Sequence, residues 1–370
     1  MEYRQCNRCI MDTSDPEITF DENGYCNHCR GYYIRAKKEL HYDNEGYIRL
    51  QDIIKNRVKG RGKKYDCIIG LSGGLDSSFV AYNVVKLGLK PLAISIDNRY
   101  DTEIAKNNVE KLVAGLKLDW IKYDVDWNIY REMQLAFLQS GVINIEAPTD
   151  HAITTMLYDE AIKQGVKWVI TGSNIVTEAI MPKAWGYDAR DWKHIKSICK
   201  QYGITDKDLN HFPHMNLWDW FYVTFMKEIK FFPILNYIPY NKTDAIKILQ
   251  NRFDWEDCGP KHFENVFTRL FQGYILPTKF GIDKRKAHLS TLICSGQITR
   301  EYALEKLDQN YYHYAKDYFR ITDILNISVT QFHGLLNSDK KEYTEYKSNR
   351  HLLNIFKGFI GLARRVAIAN

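Results

Sequence analysis

Between residues 65 and 172, short apolar runs alternate with longer segments in which apolar residues recur at helical spacing. Four runs predict strands, the first of them buried: YDCIIGL at 65–71, PLAISID at 91–97, DWIKYDV at 119–125 and VKWVITG at 166–172. Helical patterns lie between them, at 77–89, 101–118, 127–140 and 149–164. Because strands that alternate with helices form βαβ units, the pattern predicts an α/β fold with a mostly parallel sheet covered on both faces.

The segments on either side of this region have different patterns. The first 45 residues are rich in turns and cysteines, which predicts a small separate module, and the chain after about residue 241 is mainly helical in pattern. We therefore predict four parts: a four-cysteine module, an α/β core, an aromatic-rich helical insertion with a basic segment, and a helical C-terminal tail. Their predicted boundaries are 1–45, 46–180, 181–310 and 311–370.

An aromatic-rich segment interrupts the regular alternation. Residues 185–240 contain 14 aromatic residues in 56 positions, about twice the 14% found in the whole chain. Charged residues interrupt them, so the segment is not a membrane span. Two interpretations remain open: a packed helical insertion, or a pocket in which some rings contact a sugar or a base.

Composition narrows the class of protein only slightly. The chain has 370 residues, 45% of them hydrophobic, and a net charge of +6, which fits a globular protein with a sizeable core. The mild positive charge is compatible with an anionic small molecule or with nucleic acid. No stretch has the length and hydrophobicity of a spanning helix, and the first residues lack an apolar signal region. We therefore expect a cytoplasmic protein.

The sequence GLSGGLDSS at 70–78 joins the first predicted strand to the first predicted helix. Adjacent glycines let the backbone approach a ligand closely, and a helix N-terminus presents free N–H groups to phosphate. Hydroxyl groups add donors, and Asp76 is a candidate ligand of Mg²⁺. The loop is not a Walker A sequence, because no lysine follows the glycines. The candidate phosphate-binding residues are Ser72, Gly73, Gly74, Asp76, Ser77 and Ser78.

Polar residues at the ends of two other predicted strands are candidates for the same site, because ligands of open α/β sheets bind at the carboxyl edge. Asp97 ends the second strand and is a candidate for contact with adenosine, although capping of the next helix explains it equally well. Gly172 and Ser173 end the fourth strand and are candidates for bordering the nucleotide. Glu178 is a candidate for facing the metal or the substrate.

Two cysteine pairs near the N-terminus predict a metal site. Cys6 and Cys9 form the first Cys-x-x-Cys pair, and Cys26 and Cys29 form the second, sixteen residues later. Four thiolates at this spacing suit tetrahedral Zn²⁺ in a structural, zinc-ribbon-like module. The module has few apolar residues, so metal binding would supply much of its folding energy.

A basic segment follows at 276–286, LPTKFGIDKRK. Its proline and glycine predict a loop ordered over an anion. The resemblance of SGGLDSS to the PP-loop of ATP pyrophosphatases implies that a late basic residue neutralises charge as pyrophosphate departs. The candidate residues for this role are Lys279 and Arg285.

The SGGLDSS sequence resembles the PP-loop of the N-type ATP pyrophosphatases, which implies an adenine nucleotide α-hydrolase-like, Rossmann-like core that cleaves ATP to AMP and pyrophosphate. Further segments, CNRCIMDTSDPEITFDENGYCNHC, APTDHAI, TGSN and KFGIDKRKAHLSTLICSGQITREYAL, resemble the N-acetyl sugar amidotransferases of bacterial surface-glycan biosynthesis. That resemblance implies ATP, Mg²⁺ and structural Zn²⁺ as cofactors. It also implies that a sugar acetamido group becomes an acetamidino group, by way of an O-adenylyl imidate that ammonia attacks.

The ammonia is expected to come from another protein. Cys67 lies within a predicted strand, and neither Cys258 nor Cys294 has the sequence context of a glutaminase nucleophile. The family resemblance points to a separate glutaminase with a cyclase-like scaffold as partner, and to a nucleotide-linked sugar as substrate.

Two other functions remain possible at this stage. A tRNA-thiolating PP-loop enzyme would also combine adenylylation with zinc-binding cysteines. However, the remaining cysteines occur singly and no long basic strip is interleaved with aromatics, which makes nucleic acid an unlikely partner. A non-catalytic zinc-containing scaffold would not require the intact phosphate loop.

Overall fold

The computed structural model describes residues 2–309, 314–356 and 358. Its centre is a parallel sheet of five strands in the order β3-β2-β1-β4-β5. The strands are β1 (Cys67–Gly70), β2 (Pro91–Asp97), β3 (Asp119–Asp124), β4 (Trp168–Thr171) and β5 (Lys230–Pro233). Ile69 in β1 pairs with Ala93 on one side and with Ile170 on the other, and all three are buried. The predicted α/β fold with a parallel sheet is confirmed.

Helices connect and cover the strands. Those up to β5 are α1 (Asn27–Glu39), α2 (Asn44–Asp52), α3 (Leu75–Lys86), α4 (Glu103–Leu116), α5 (Trp127–Gln139), α6 (Ala147–Gln164), α7 (Ile175–Glu178), α8 (Trp192–Gln201), α9 (Asp206–Leu209) and α10 (Leu217–Phe221). After β5 come α11 (Lys242–Phe253), α12 (Val266–Leu270), α13 (Lys284–Cys294), α14 (Arg300–Asp308), α15 (Tyr314–Leu325) and α16 (Val329–Leu336). Wider π-type turns extend three of these helices, at Ile53–Val58, Tyr222–Met226 and Phe271–Phe280.

The two faces of the sheet bury different cores. On one face Ile69 belongs to a cluster with Val80 of α3 and Leu249 of α11. On the other face Ile68 packs in a cluster with Leu157 of α6. Alternate residues of β1 therefore point to opposite sides, and both sides are apolar, as a central parallel strand requires.

The strand order fixes where a ligand binds. The chain runs from β1 to β2 and β3 on one side of the sheet, then returns to place β4 and β5 on the other side. The direction of winding therefore changes between β1 and β4, and in open α/β sheets the crevice at such a switch point is the ligand site. The loops after β1 and β4 both open onto this crevice.

Two sequence predictions about the second half of the chain were incomplete. The aromatic-rich segment contributes a strand, β5, in addition to helices. Its four residues are too short to give a detectable alternation, and β5 is recognisable only through its pairing with β4. The predicted loop around Lys279 is instead helical up to Phe280, and Gly281 ends the helix in a left-handed conformation.

None of the helices in the part of the chain that the structure describes has both the length and the hydrophobicity needed to cross a lipid bilayer.

Candidate functional site

The glycine pair after β1 has no room for side chains. Gly73 has a φ of +77°, and a Cβ there would lie 2.1 Å from the carbonyl oxygen of Ala105. Gly74 is the N-cap of α3, and a Cβ on it would meet Glu264 Oε1 at 2.8 Å. The loop is thus held between α4 and the segment that carries Glu264. Its first helical N–H groups have no side-chain cap at Gly74, so they suit an anion.

The three serines of the loop have different roles. Ser72 and Ser77 line a cavity of about 640 Å³ at the carboxyl edge of the sheet. Their hydroxyl oxygens are 3.1 Å apart. Ser78 is fully buried: it donates a hydrogen bond to the carbonyl of Gly74 at 2.7 Å and accepts one from Trp255 at 3.1 Å. The structure therefore brings Ser72 and Ser77 to the cleft, whereas Ser78 fixes the shape of the loop.

Asp76 lies at the centre of a charged cluster. Tyr240 donates a short hydrogen bond to one of its carboxylate oxygens, and Lys261 Nζ lies 2.8 Å from the other. The same ammonium group lies 2.6 Å from Glu178 at the end of α7. Burial alone would raise the pKa of Asp76, but Lys261 and Tyr240 bring it below its usual value. The pKa of Glu178 is raised, mainly by burial.

The other residues predicted from the strand ends occupy different positions. Gly172 packs against Asp76, because a Cβ there would lie 3.0 Å from that of Asp76. Ser173 is exposed beside it. Asp97 forms an ion pair with Lys122 at 2.6 Å and borders a small cavity of about 70 Å³. The N-cap of α4 is Thr102 and not Asp97. Asp97 therefore lies beside the large cleft rather than in it.

A cavity of about 640 Å³ extends from the phosphate loop across the carboxyl edge of the sheet. One end is lined by residues of β1, β2 and the loop. The other end is lined by residues of the α5–α6 region and of the aromatic segment, among them Asn144, Glu146, Thr149, Asp150, Trp185 and Tyr187. Trp185 and Tyr187 border the cavity, whereas Phe212 and Trp220 pack in the interior. The segment therefore contributes to the packed core and to the cavity wall, and contact of its rings with a sugar or a base stays a prediction.

The structure does not bring Lys279 or Arg285 to this cavity. Lys279 Nζ donates to Ser338 Oγ at 2.8 Å, and Arg285 forms a bidentate pair with Asp283 on the surface. Lys284, one residue before Arg285, lines the cavity instead. The register of α13 explains this difference, since neighbouring helix residues point about 100° apart.

The sequence analysis did not identify the segment Lys261–Asn265 as part of the site. His262, Glu264 and Asn265 line the cavity, and Lys261 binds Asp76 and Glu178 as described above. The pKa of His262 is lowered to about 3 by burial and by nearby Lys261 and Lys284. The signal available in the sequence was GPKHFEN at 259–265, in which a turn-forming Gly-Pro pair precedes a lysine, a histidine and a glutamate.

Two carboxyl groups, those of Glu146 and Asp150, line the cavity at the start of α6. Burial raises the pKa of Glu146 to about 7, and the neighbouring Asp150 adds to the shift. Partial removal of solvent inside the cavity raises the pKa of Asp150 as well, to about 6. Its side chain still contacts water, which makes the shift smaller than for a fully enclosed carboxyl group. Glu146 also accepts a short hydrogen bond from Thr268.

We expect the free energy of unfolding to depend on the protonation of Glu146. Its pKa is higher in the folded protein than the ordinary value of 4.5, so its stabilising contribution is fully present below that value and is lost as the pH rises through about 7. Urea unfolding should show Glu146→Gln gaining stability relative to the wild type between about pH 5 and pH 8, on the order of 1 kcal/mol. Glu110→Gln on the exposed face of α4 is the control, and a difference for Glu146→Gln that stays constant with pH would contradict the assignment.

The four N-terminal cysteines come together as predicted. Their sulfur atoms all lie within 4.8 Å of one another, with Cys6–Cys29 at 3.8 Å and Cys9–Cys26 at 3.7 Å. A tetrahedron with Zn–S bonds of 2.3 Å has edges of about 3.8 Å. Backbone N–H groups also point at the sulfurs, for example from Cys26 to Cys6 at 3.2 Å. The cluster is therefore suited to a tetrahedral metal ion, and His28 pairs with Asp15 at 2.6 Å instead of joining it.

The cysteine segment is attached to α13. Ser290 accepts a hydrogen bond from the backbone N–H of Ile10 at 3.2 Å, Lys286 pairs with Asp12, and Cys294 Sγ lies 3.7 Å from Cys29 Sγ. Thr291 Oγ1 of the same helix accepts a hydrogen bond at 3.1 Å from the backbone N–H of Ile180, which lies just after α7. Helix α13 thus links the cysteine cluster to both Lys284 and the helix that carries Glu178.

A parallel α/β sheet with an SGGxDSS loop at its switch point defines a nucleotide-binding protein of the PP-loop class. Comparison with known proteins agrees. A family model described as NAD synthase matches residues 47–205, and one described as "LPS biosynthesis protein WbpG-like, C-terminal domain" matches residues 264–359.

Individual relatives were also found. The NH(3)-dependent NAD(+) synthetase of Pyrococcus horikoshii is 30% identical over 187 residues, which cover 47% of this chain and 70% of the relative. The uncharacterized protein MJ1599 of Methanocaldococcus jannaschii is 28% identical over 131 residues, 34% of this chain and 44% of that protein. The chain belongs to the PP-loop ATP pyrophosphatase family, as its resemblance predicted, and carries a WbpG-like C-terminal domain.

Solved structures give more distant similarities. NMN synthetase from Francisella tularensis aligns with 83% of this chain and 98% of its own, at 17% identity and a TM-score of 0.36. The U34-tRNA thiolase NcsA from Methanococcus maripaludis, solved with its [4Fe-4S] cluster, aligns with 80% of this chain and 88% of its own, at 13% identity and a TM-score of 0.32.

Proposed function

We propose that the chain is an ATP-dependent amidotransferase that converts the acetamido group of a nucleotide-linked sugar into an acetamidino group, for a bacterial lipopolysaccharide or a related glycan. The observation that carries the proposal is the single cavity of about 640 Å³ that joins the phosphate loop to a second, acidic and aromatic half. Such a cavity can hold ATP and an acceptor side by side, which adenylyl transfer requires.

The two family matches support the two halves of the proposal. The NAD synthase match covers β1 to β4 and the phosphate loop, and the matched relative is named as NH(3)-dependent. The WbpG-like match begins at residue 264 and so includes Glu264, Asn265, Thr268, Gln272 and Lys284 of the cavity wall. An ammonia-using ATP site and a domain of lipopolysaccharide biosynthesis thus contribute to one cavity.

The nucleotide is proposed to bind at the loop end. Backbone N–H groups at Gly73 and Gly74 and the hydroxyls of Ser72 and Ser77 are the donors for the phosphates.

Mg²⁺ bound with the nucleotide would be held by Asp76 and Glu178. Their carboxylates already converge on one cation, the ammonium group of Lys261. The metal ion would supply positive charge to the departing pyrophosphate. Lys284 takes the role that the sequence analysis assigned to Lys279 and Arg285.

The acceptor is proposed to bind at the other end. Trp185, itself buried, and Tyr187 form part of the wall there, and Asn144 and Thr149 offer polar groups to an acceptor. The amide oxygen attacks the α-phosphorus and pyrophosphate leaves, which forms an O-adenylyl imidate. Ammonia then adds to the imidate carbon and AMP departs, so C=N replaces C=O. Glu146 and Asp150 accept the proton that the attacking nitrogen loses.

The ammonia is proposed to come from a separate glutaminase with a cyclase-like scaffold. Cys67 is buried in β1, Cys199 is buried in α8, and Cys294 lies beside the metal cluster. Cys258 is partly exposed, but burial raises its pKa to about 12, the opposite of what a thiolate nucleophile needs. The proposal therefore assigns no glutaminase role to these cysteines.

The reaction is tested by incubating the protein with Mg-ATP, ammonium and a panel of nucleotide-linked N-acetyl sugars. Mass spectrometry should detect a product lighter by the difference between O and NH, together with AMP and pyrophosphate in equal amounts. A reaction without ATP, and one with a sugar that lacks the acetamido group, are the controls. Formation of ADP, or transfer of sulfur to RNA in place of amidine formation, would contradict the proposal.

A further inference from the structure

Lys261 connects two carboxylates from different parts of the fold. It follows the turn at Gly259 and Pro260, and its ammonium group reaches Asp76 in α3 and Glu178 in α7 at 2.8 and 2.6 Å. Only 14% of the lysine side chain is exposed. Thr177 Oγ1, at 3.4 Å, is a third partner. A buried cation with three oxygen partners is strongly held in this position.

The position of this ammonium group is also the position that a divalent cation would need. The two carboxylate oxygens can be at most about 5.4 Å apart, given their distances from Nζ. Oxygen ligands of an octahedral Mg²⁺ or Mn²⁺ ion lie about 3–4 Å apart, so a small side-chain adjustment lets both carboxylates reach one ion. Such an ion would then be in direct contact with the ammonium group, and the two positive charges would repel each other.

We propose that Lys261 and a divalent cation compete for the Asp76–Glu178 pair, and that the phosphates of a nucleotide decide the competition by giving Lys261 another anionic partner. The inference rests on the proposed nucleotide site but not on the identity of the acceptor. It makes binding of the cation conditional on the nucleotide. Lysine, whose long side chain has several rotatable bonds, is suited to such an exchange.

The surrounding charges favour this exchange. The charge of Lys242 acts on Asp76, and that of Lys284 acts on His262, the residue that follows Lys261. A free cation therefore meets several positive charges near the carboxylate pair, whereas a triphosphate is attracted by them. We expect the metal affinity to rise when phosphate enters and to be low without it.

The test measures Mn²⁺ binding without nucleotide, by electron paramagnetic resonance, on the full-length protein with its cysteine site loaded with zinc. Lys261→Met should bind one Mn²⁺ about tenfold or more tightly than the wild type, because one adjacent positive charge is gone. Lys261→Met combined with Glu178→Gln should lose that gain. In the wild type, addition of a non-hydrolysable ATP analogue should strengthen Mn²⁺ binding, and in Lys261→Met that strengthening should be smaller.

Two matched variants separate competition at the site from a general charge effect. Lys261→Arg keeps a cation between the carboxylates and should bind Mn²⁺ as weakly as the wild type. Lys242→Met removes a nearby positive charge that contacts neither carboxylate, and should raise the affinity by at most about threefold, well short of the gain in Lys261→Met. Equal Mn²⁺ affinity of folded Lys261→Met and wild type, or an equal gain in Lys261→Arg, would overturn the inference. None of these measurements requires amidine formation. A protein that formed no amidine could still show the expected Mn²⁺ binding, so the two proposals can fail independently.

Discussion

Replacement of Asp76 by asparagine is expected to lower the rate of AMP formation by about a hundredfold to a thousandfold, while the protein remains folded. Asparagine keeps the shape of the side chain, and its amide oxygen can still accept the hydrogen bond from Tyr240. It lacks the negative charge that pairs with Lys261 and that would bind a metal ion. Release of AMP from radiolabelled ATP, with the acceptor and ammonium present, measures the loss.

Asp124→Asn is the matched control for this prediction. Asp124 ends β3 at the same edge of the sheet and is exposed, whereas Asp76 contacts Lys261 and Tyr240. We expect its activity to stay within about twofold of the wild type, as is usual for surface substitutions. An Asp76→Asn protein with normal AMP formation would remove Asp76 from the mechanism, and with it the assignment of the loop as the phosphate site.

The core of the fold was predictable because its signals are local. The strands β1, β2 and β4 are short apolar runs next to helices of clear periodicity, because the inner strands of a parallel sheet are covered on both faces. The edge strand β3 keeps Asp119, Lys122 and Asp124 exposed, and it was recognised from its place between two helical patterns. Strand β5 was missed because its four residues carry no periodic signal of their own. The helical residues around Pro277 were missed because a proline within a helix is uncommon.

The site was predictable where its residues are adjacent in sequence. Ser72, Asp76 and Ser77 belong to one loop, and the chemistry of that loop can be read from its composition. Lys261 and Tyr240 reach Asp76 from positions more than 160 residues later, and no local pattern records such a contact. The sequence analysis named Arg285 although Lys284 lines the cavity, and the reason is similar. The sequence shows a cluster of basic residues but not which of them points into the cavity.

Loss of the metal site is expected to affect both folding and the distant nucleotide site. Cys26→Ala should abolish stoichiometric metal binding at this cluster and destabilise the protein by several kcal/mol, because structural metal sites such as those of Zn²⁺ contribute about 10–16 kcal/mol of binding energy in small domains. The cysteine segment holds α13 through Ser290 and Lys286, and α13 carries Lys284. The apparent affinity for ATP should therefore fall together with the metal content, measured by elemental analysis and by nucleotide titration.

Cys258→Ser is the control that separates this effect from loss of any thiol. Cys258 is partly exposed and lies outside the metal cluster, so its replacement should leave both the zinc content and the affinity for ATP unchanged. The coupling follows from geometry: α13 has the sulfur cluster at its C-terminal end and the cavity at its N-terminal end, and a rigid helix transmits displacement of one end to the other. If folded Cys26→Ala protein lacked zinc but bound ATP with wild-type affinity, the cysteine module would be an independent attachment and α13 would not depend on it.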